Sequence, residues 1–201
     1  MAELSMQDMA GAVLAWMEYE SLCGRKRILI ERTLAYPIAG YVAGRGQYVK
    51  PEEPVPGTRL GTRPRIDYAF WEKEDGPVVA YMETKLNSSQ VAGDLVRLLG
   101  LTGRRYFLCA QVDSVGKAKS EMRDMGLVSP STDDPIRHIS EDDTSTWCHV
   151  REAHLEWRKS LENPIPLREF WTQLVGFDEH PSRNPDAMVA IWEVKDEADR
   201  L

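Results

Sequence analysis

Two short apolar segments on either side of a charged turn constrain the fold of this chain more than any other feature. They span residues 63–85, and an Asp-Gly pair lies in the turn between them. Strand-length apolar runs separated by such a turn predict a β-hairpin. Side chains two apart on a strand share a face, so Glu83 and Lys85 are expected about 7 Å apart on the same side.

A hairpin centred on Asp75 places Asp67 directly opposite Glu83. A two-residue turn at Asp75-Gly76 would instead set Asp67 opposite Thr84 and on the wrong face, so the arrangement requires a longer loop or a bulge. Two opposed carboxylates repel each other and lose hydration unless a divalent cation lies between them. The hairpin therefore predicts a cation site.

Mg²⁺ fits this site because it prefers oxygen ligands, keeps several waters and completes its shell with phosphate oxygens. Asp67 and Glu83 are the predicted metal ligands, and Mn²⁺ is expected to substitute. Lys85 would orient or help deprotonate the attacking water and offset charge that develops on the phosphorus oxygens. These three residues form the predicted catalytic set for a phosphodiester or another phosphate ester.

Ile66-Asp67 on one strand and Glu83-Thr84-Lys85 on the next, followed by a helix and a further strand, resemble the PD-(D/E)XK superfamily of restriction-endonuclease-like nucleases. The resemblance covers residues 27–112 and departs from the motif at Ile66, where the superfamily has proline. It implies a Mg²⁺-dependent endonuclease acting on nucleic acid, with DNA as the expected polymer. It also implies that the backbone carbonyl of Thr84 is a further metal ligand.

The resemblance implies an additional acidic ligand from the helix before the sheet, and Glu31 lies at that position. On a helical wheel Glu31 falls within an apolar face, where a carboxylate needs a partner. Glu20, on the first predicted helix, is the rival. The other interpretation of Glu31 is a surface pair with Arg27 or Arg32.

The predicted order of elements is helix, three strands, helix, strand, which is the core order of the superfamily. A strand, helix and strand within about thirty residues imply a right-handed crossover and a parallel pair, so the central sheet is expected to be mixed. The predicted class is α/β, with a restriction-endonuclease-like core over residues 1–128. The predicted elements are a helix at 7–23, a second helix that begins after residue 27 and has its apolar face at Leu34, Ala35, Ile38 and Val42, strand 47–49, the hairpin, helix 91–102 and strand 106–112.

Residues 129–201 are predicted to be an acidic extension of helices and a strand that packs on the same domain. Its Glu193-Val194-Lys195 repeats the Glu-x-Lys spacing, but no aspartate precedes it on a paired strand, so we interpret it as a solvated strand end. The remaining predictions are a helix at 117–125, a polar loop at 129–147, helices at 149–161 and 167–175, and a strand at 187–194.

Arginines cluster beside the strand that carries Asp67, at the end of a loop rich in glycine and proline. Arg63 and Arg65 are predicted to contact the substrate backbone, and a solvated charged loop is the alternative. On the following helix, Gln90 and Arg97 are expected near the site.

The net charge of −7 is divided unevenly. Residues 1–128 hold 17 Lys and Arg against 16 Asp and Glu, whereas residues 129–201 hold 8 against 16. A nearly neutral core predicts weak non-specific binding to nucleic acid, because affinity comes largely from neutralising phosphates. No apolar run is long enough for a transmembrane helix and no basic leader is present, so a cytoplasmic protein without a membrane partner is expected.

The 3 cysteines lack paired spacing, which is evidence against a disulfide framework and a zinc site, and we expect them to be small buried or half-buried hydrophobes. The leading functional hypothesis is a metal-dependent nuclease, as a homodimer or with a partner protein. A second is a catalytically silent nuclease-like fold that binds nucleic acid or protein. The third is an α/β domain in which Asp67, Glu83 and Lys85 only form a surface ion pair.

Overall fold

Seven strands of this chain form one mixed sheet. The computed structural model describes residues 4–25, 27, 29–59, 64–86, 91–130, 134–180 and 186–200. In chain order the elements are α1 (Met6–Leu22), α2 (Ala35–Ala43), β1 (Tyr48–Pro54), β2 (Arg65–Trp71), β3 (Val78–Leu86), α3 (Val91–Leu99), β4 (Arg104–Val112), α4 (Val115–Asp124), β5 (Ile136–Ile139), α5 (Thr144–Arg158), β6 (Phe170–His180) and β7 (Ala187–Asp196). The strand order across the sheet is β1-β2-β3-β4-β7-β6-β5.

The predicted hairpin is confirmed as the antiparallel pair of β2 and β3. Tyr68 pairs with Met82, and continuing this register by one residue sets Asp67 opposite Glu83. A bulge beside Trp71 supplies the shift that a two-residue turn could not provide. The two carboxylates that the sequence places opposite each other therefore lie on neighbouring strands.

The predicted crossover is also confirmed, because β3 and β4 are parallel and α3 connects them. All other neighbouring strands in the sheet are antiparallel. Gly103, with φ +99°, allows the chain to turn from α3 into β4. This crossover places α3 against the strands that carry the candidate site.

Helices cover both faces of the sheet, which confirms the α/β class. On one face α1 and α2 pack with fully buried residues such as Met9 and Ile38. On the other face α3, α4 and α5 surround Phe107 and Trp192, whose ring centroids are 6.1 Å apart. Within the described residues, no helix combines the length and the apolar character needed to cross a bilayer.

The first strand is longer than predicted. β1 continues through prolines at which the sequence predicts a loop. Pro51 is accommodated since β1 lies at the edge of the sheet, where one side of the strand has no neighbour. Glu52 adopts φ 58° between two regular pairs, so it interrupts the pairing locally. An edge strand tolerates both proline and a residue with positive φ. Because of these residues, the sequence of β1 lacks the pattern that predicts a strand.

The helix predicted at 167–175 is wrong, since these residues enter strand β6. Phe170 and Thr172 are buried and alternate with half-buried Trp171 and Gln173, which is a period of two. The predicted loop at 129–147 is also wrong in part, because it contains β5 and the start of α5. A strand of four residues is too short to give a periodic signal.

The other predicted elements of the C-terminal part agree with the structure. α4 matches the predicted helix at 117–125, and β7 extends the predicted strand at 187–194. β7 pairs with β4, so the sheet is continuous from the hairpin to the acidic extension. Cys109 is buried as expected, but Cys23 and Cys148 are exposed, because they lie at the end of α1 and on the outer side of α5.

Gly176 of β6 provides a test of this packing. A Cβ atom at this position would lie 2.3 Å from the carbonyl oxygen of Met6, at the start of α1. We expect Gly176→Ala to lower the free energy of unfolding by about 2 kcal/mol or more, because backbone cannot yield as a side chain does. Chemical denaturation measures the change.

Gly40→Ala is the matched control. Gly40 lies inside α2 with no atom within 4 Å of its added Cβ, so the substitution is expected to stabilise by about 0.5–1 kcal/mol. Equal effects at the two positions would contradict the contact between α1 and β6.

Candidate functional site

The predicted catalytic residues meet near the C-terminal end of β3. Glu83, Thr84 and Lys85 follow one another on this strand, and Asp67 comes from β2. The 3₁₀ turn Glu31–Leu34, which comes before α2 in the sequence, contacts β3. α3 also packs against β3. Four separate parts of the chain thus supply side chains to one region.

Asp67 is held by the strand beside it. Its Oδ2 accepts a hydrogen bond from the Thr84 N–H at 2.8 Å and another from the Thr84 hydroxyl at 2.9 Å. The backbone and side chain of one residue thus fix the carboxylate from two directions. The resemblance predicts that Thr84 offers its carbonyl to a metal; in this structure the Thr84 N–H and hydroxyl orient the carboxylate of Asp67.

Glu83 is the most deeply buried of the predicted ligands, with 1% of its side chain exposed. Arg97 of α3 donates a hydrogen bond from Nε to Glu83 Oε1 at 2.6 Å. Burial raises the pKa of Glu83 well above its usual value, and the charge of Asp67 raises it further, against the opposing effect of Arg97. The arginine therefore compensates only part of the cost of burying this carboxylate.

Asp94 of α3 joins the two cations of the site. Its Oδ1 accepts from Arg97, and its Oδ2 lies 3.2 Å from the Lys85 ammonium nitrogen. The side chain is almost completely buried, and this burial raises its pKa to about 6 although both cations lower it. Asp94 thereby fixes the positions of Lys85 and Arg97 relative to each other.

Lys85 also contacts Glu31 from the 3₁₀ turn, with Nζ 3.4 Å from Oε1. Of the two side chains, 16% of Lys85 and 40% of Glu31 is exposed, so Glu31 lies toward the opening of the site. Burial alone would lower the pKa of Lys85, but Asp94 and Glu31 outweigh it and the pKa is raised. The structure therefore favours a cationic Lys85 that orients groups over one that accepts a proton.

The site has an excess of negative charge. Four carboxylates, those of Glu31, Asp67, Glu83 and Asp94, surround the cations Lys85 and Arg97. Oxygen is the only donor that these acidic residues offer, which suits a hard divalent cation. Among the described residues both hydrogen bonds to Asp67 fall on Oδ2, so Oδ1 stays available as a ligand.

The carboxylates are not arranged as a finished metal cage. No group of three or more His, Cys, Asp or Glu side chains in the described ranges is close enough to hold an ion as it stands. Arg97 and Lys85 lie between the acidic groups and hold them apart through ion pairs. By charge and donor type the residues fit Mg²⁺, and these ion pairs would have to rearrange before three of the carboxylates met on one ion.

Two predicted site residues have other roles or lie elsewhere. Glu20, the rival of Glu31, is buried in α1 and pairs with Arg25 at 2.5 Å. Arg65 is exposed and donates to the Glu52 carbonyl of the edge strand at 3.0 Å, which fixes the backbone of β1. The remaining predicted contacts, Arg63 and Gln90, lie outside the described residues.

The second Glu-x-Lys sequence behaves as an ordinary strand end. In β7 the Lys195 ammonium lies 2.8 Å from Glu193, and Glu193 is also 3.8 Å from Arg104. The two copies therefore share their spacing but not their surroundings.

Asp94 is the site residue that sequence reasoning missed. It falls at helical spacing between Val91, Leu95 and Leu98, all three of which are buried, so it interrupts the apolar face of α3. The same signal, a carboxylate within an apolar helix face, pointed to Glu31. Applied to α3, it would have identified Asp94 as well.

No family model, curated protein or solved structure matches this chain. The functional assignment therefore depends on the chemistry of the site described above.

Thr84→Val tests how Asp67 is oriented. The substitution keeps the shape of the side chain but removes the hydroxyl that binds Asp67 and also hydrogen-bonds Tyr68. We expect a loss of about 1–2 kcal/mol in the free energy of unfolding, since hydrogen bonds to charged groups are stronger than average. Thr84→Ser retains the hydroxyl and is expected to lose much less; equal losses would contradict the role of this bond.

Asp94→Asn tests the buried carboxylate through pH. Burial raises the pKa of Asp94 to about 6 in the folded state, whereas the ordinary pKa of an aspartate is 3.8. The native state thus binds more protons in this window, so unfolding becomes easier as pH rises through it. Asp94→Asn removes this dependence, which amounts to at most about 3 kcal/mol. Denaturation from pH 4 to 7 with a chelator measures it, and parallel curves would contradict it.

Proposed function

We propose that this protein is a divalent-metal-dependent nuclease of the PD-(D/E)XK type that hydrolyses phosphodiester bonds in DNA. The observation that carries the proposal is the pair of carboxylates on neighbouring strands, half-buried Asp67 and buried Glu83, with a cationic Lys85 two residues beyond Glu83 on the same strand. Two adjacent carboxylates whose negative charges repel each other do not stabilise a hydrophobic core. Mg²⁺, with Mn²⁺ as a substitute, is the cofactor that this donor set suits.

The order of elements supports the proposal independently of the residues. α2, β1, β2, β3, α3 and β4 follow the sequence helix, three strands, helix, strand, with one antiparallel hairpin and one parallel crossover. The superfamily carries its motif on the hairpin, and Asp67 and Glu83 lie on that pair of strands. The agreement of motif and element order supports assigning a restriction-endonuclease-like core to this fold.

A bound Mg²⁺ would activate water for in-line attack on phosphorus and stabilise charge on the phosphate oxygens. Asp67 and Glu83 are the residues that would hold it, with Glu31 near the opening and the Thr84 carbonyl as further candidates. Lys85, kept cationic by Asp94 and Glu31, would orient the attacking water and offset charge on the phosphate. Thr84 keeps Asp67 in a fixed orientation for this role.

The charge distribution indicates how such an enzyme would bind nucleic acid. With +1 over residues 1–128 and −8 over residues 129–201, long-range attraction to DNA is weak. Substrate recognition would therefore depend on local contacts, a second copy of the chain or a partner protein. Binding is therefore expected to weaken less steeply with added salt than that of proteins that neutralise many phosphates.

Cleavage assays test the proposal. Plasmid, linear DNA, single-stranded DNA and RNA are incubated at low salt with Mg²⁺ or Mn²⁺, using the native protein and the variants Asp67→Ala and Lys85→Ala. We expect metal-dependent cleavage of DNA that falls at least about 100-fold in both variants, because each removes a group that acts on the reacting phosphate.

Lys195→Ala is the matched control, because it removes a lysine from the same Glu-x-Lys spacing and a 2.8 Å ion pair outside the site. Its cleavage should equal that of the native protein. Absence of cleavage together with absence of Mn²⁺ binding by calorimetry would overturn the proposal.

A second candidate function is a nuclease-like binding module without catalysis. It is favoured by the ion pair between Glu83 and Arg97, because a guanidinium already neutralises part of the charge that a metal would compensate. This function predicts binding of nucleic acid or protein that is unaffected by Mg²⁺, chelator or Asp67→Ala.

A further inference from the structure

Arg97 pairs with the most deeply buried carboxylate of the site, that of Glu83. It is the cationic partner of Glu83, which is 1% exposed, while 28% of the Arg97 side chain is exposed. The guanidinium therefore holds one oxygen of a carboxylate that water hardly reaches. An ion that binds this oxygen of Glu83 must displace the guanidinium or share the carboxylate with it.

A divalent ion and Arg97 cannot both be held at full strength by Glu83. Arg97 donates to Oε1 at 2.6 Å, and a second cation on the same carboxylate would lie within a few ångströms of the guanidinium. Like charges at this distance repel strongly in a site that is largely closed to water. Asp94 offers Arg97 an alternative partner, since it already accepts a hydrogen bond from it.

We propose that Arg97 is a built-in competitor of the divalent cation: it neutralises Glu83 before the metal binds and leaves Glu83, while still tethered to Asp94, when the metal arrives. This role rests on the proposed function, because it assumes that Glu83 is a metal ligand. It makes Arg97 a residue that sets the metal affinity of the site.

The released guanidinium, still bound to Asp94, would remain in the site that a phosphate group would enter. Its planar arrangement of donors binds phosphate oxygens in pairs, which a lysine cannot reproduce. Arg97 would thus act first on the acidic ligand and then on the substrate. This order of events would couple binding of the metal to binding of the phosphodiester.

Isothermal titration with Mn²⁺ alone tests the competition. Removing a positive charge next to the ligand strengthens attraction for a cation, so Arg97→Gln is expected to bind Mn²⁺ about tenfold more tightly at low salt. Arg104→Gln is the control for net charge, because Arg104 begins β4 opposite Ala80, at the other end of β3 from the site. Its Mn²⁺ affinity should match that of the native protein.

Unchanged or weaker binding by Arg97→Gln, while the native protein binds Mn²⁺, would overturn the role of Arg97 and leave the proposed function standing. Absence of Mn²⁺ binding in both proteins would overturn the proposed function and this role together. The two failures are therefore distinguishable in one set of titrations.

A measurement on the native chain covers the case in which Arg97→Gln does not fold. The Arg97 Nε–H, held by a short bond to a carboxylate, should give a slowly exchanging resonance in a nitrogen-15 NMR spectrum, assigned with Arg97→Lys. We expect saturating Mg²⁺ to shift this resonance and speed its exchange with water. A resonance that does not change while Mg²⁺ binds would show that Arg97 stays on Glu83.

Discussion

Burial of the Glu83 carboxylate is the constraint on which the candidate site depends. A charge that is almost fully removed from water must find a partner of opposite charge, and α3 supplies it. Arg97 donates directly to Glu83 and Asp94 lies behind Arg97, whereas Asp67 on β2 adds a like charge that opposes the ionised form of Glu83. Each partner requires a further one, so the site extends from a single strand residue to a network that reaches Lys85 and Glu31.

The crossover between β3 and β4 makes this network possible. A parallel pair requires a connection that returns over one face of the sheet, and α3 is that connection. The apolar residues of α3 fix the helix against the sheet. Asp94 and Arg97, which lie between them in the sequence, reach the side chains near the end of β3. Packing energy from Leu95 and its neighbours therefore supports the placement of Asp94 and Arg97.

The sequence was sufficient where local pattern and chemistry agreed. The hairpin, the crossover helix and β4 followed from strong apolar patterns. Glu31 was selected as a carboxylate on an apolar helix face, but the structure places it in a 3₁₀ turn before α2, where it contacts Lys85. β6 was misread because Phe170, Trp171 and Leu174 also fit a helical spacing, and only pairing with β7 decides between the two. β1 and β5 lie at opposite edges, where weak patterns suffice because one side needs no partner.

The position of β7 has a consequence for how the chain acquires its structure. This strand is formed by residues 187–196, yet it lies between β4 and β6 in the inner part of the sheet. Until it arrives, β4 is an open edge whose backbone groups lack partners on one side. α1, near the other end of the sequence, packs on β6 and β7. During synthesis on a ribosome β4 therefore gains its second neighbour only after the acidic C-terminal residues have been made, and a fragment of residues 1–128 would leave an unpaired strand edge exposed.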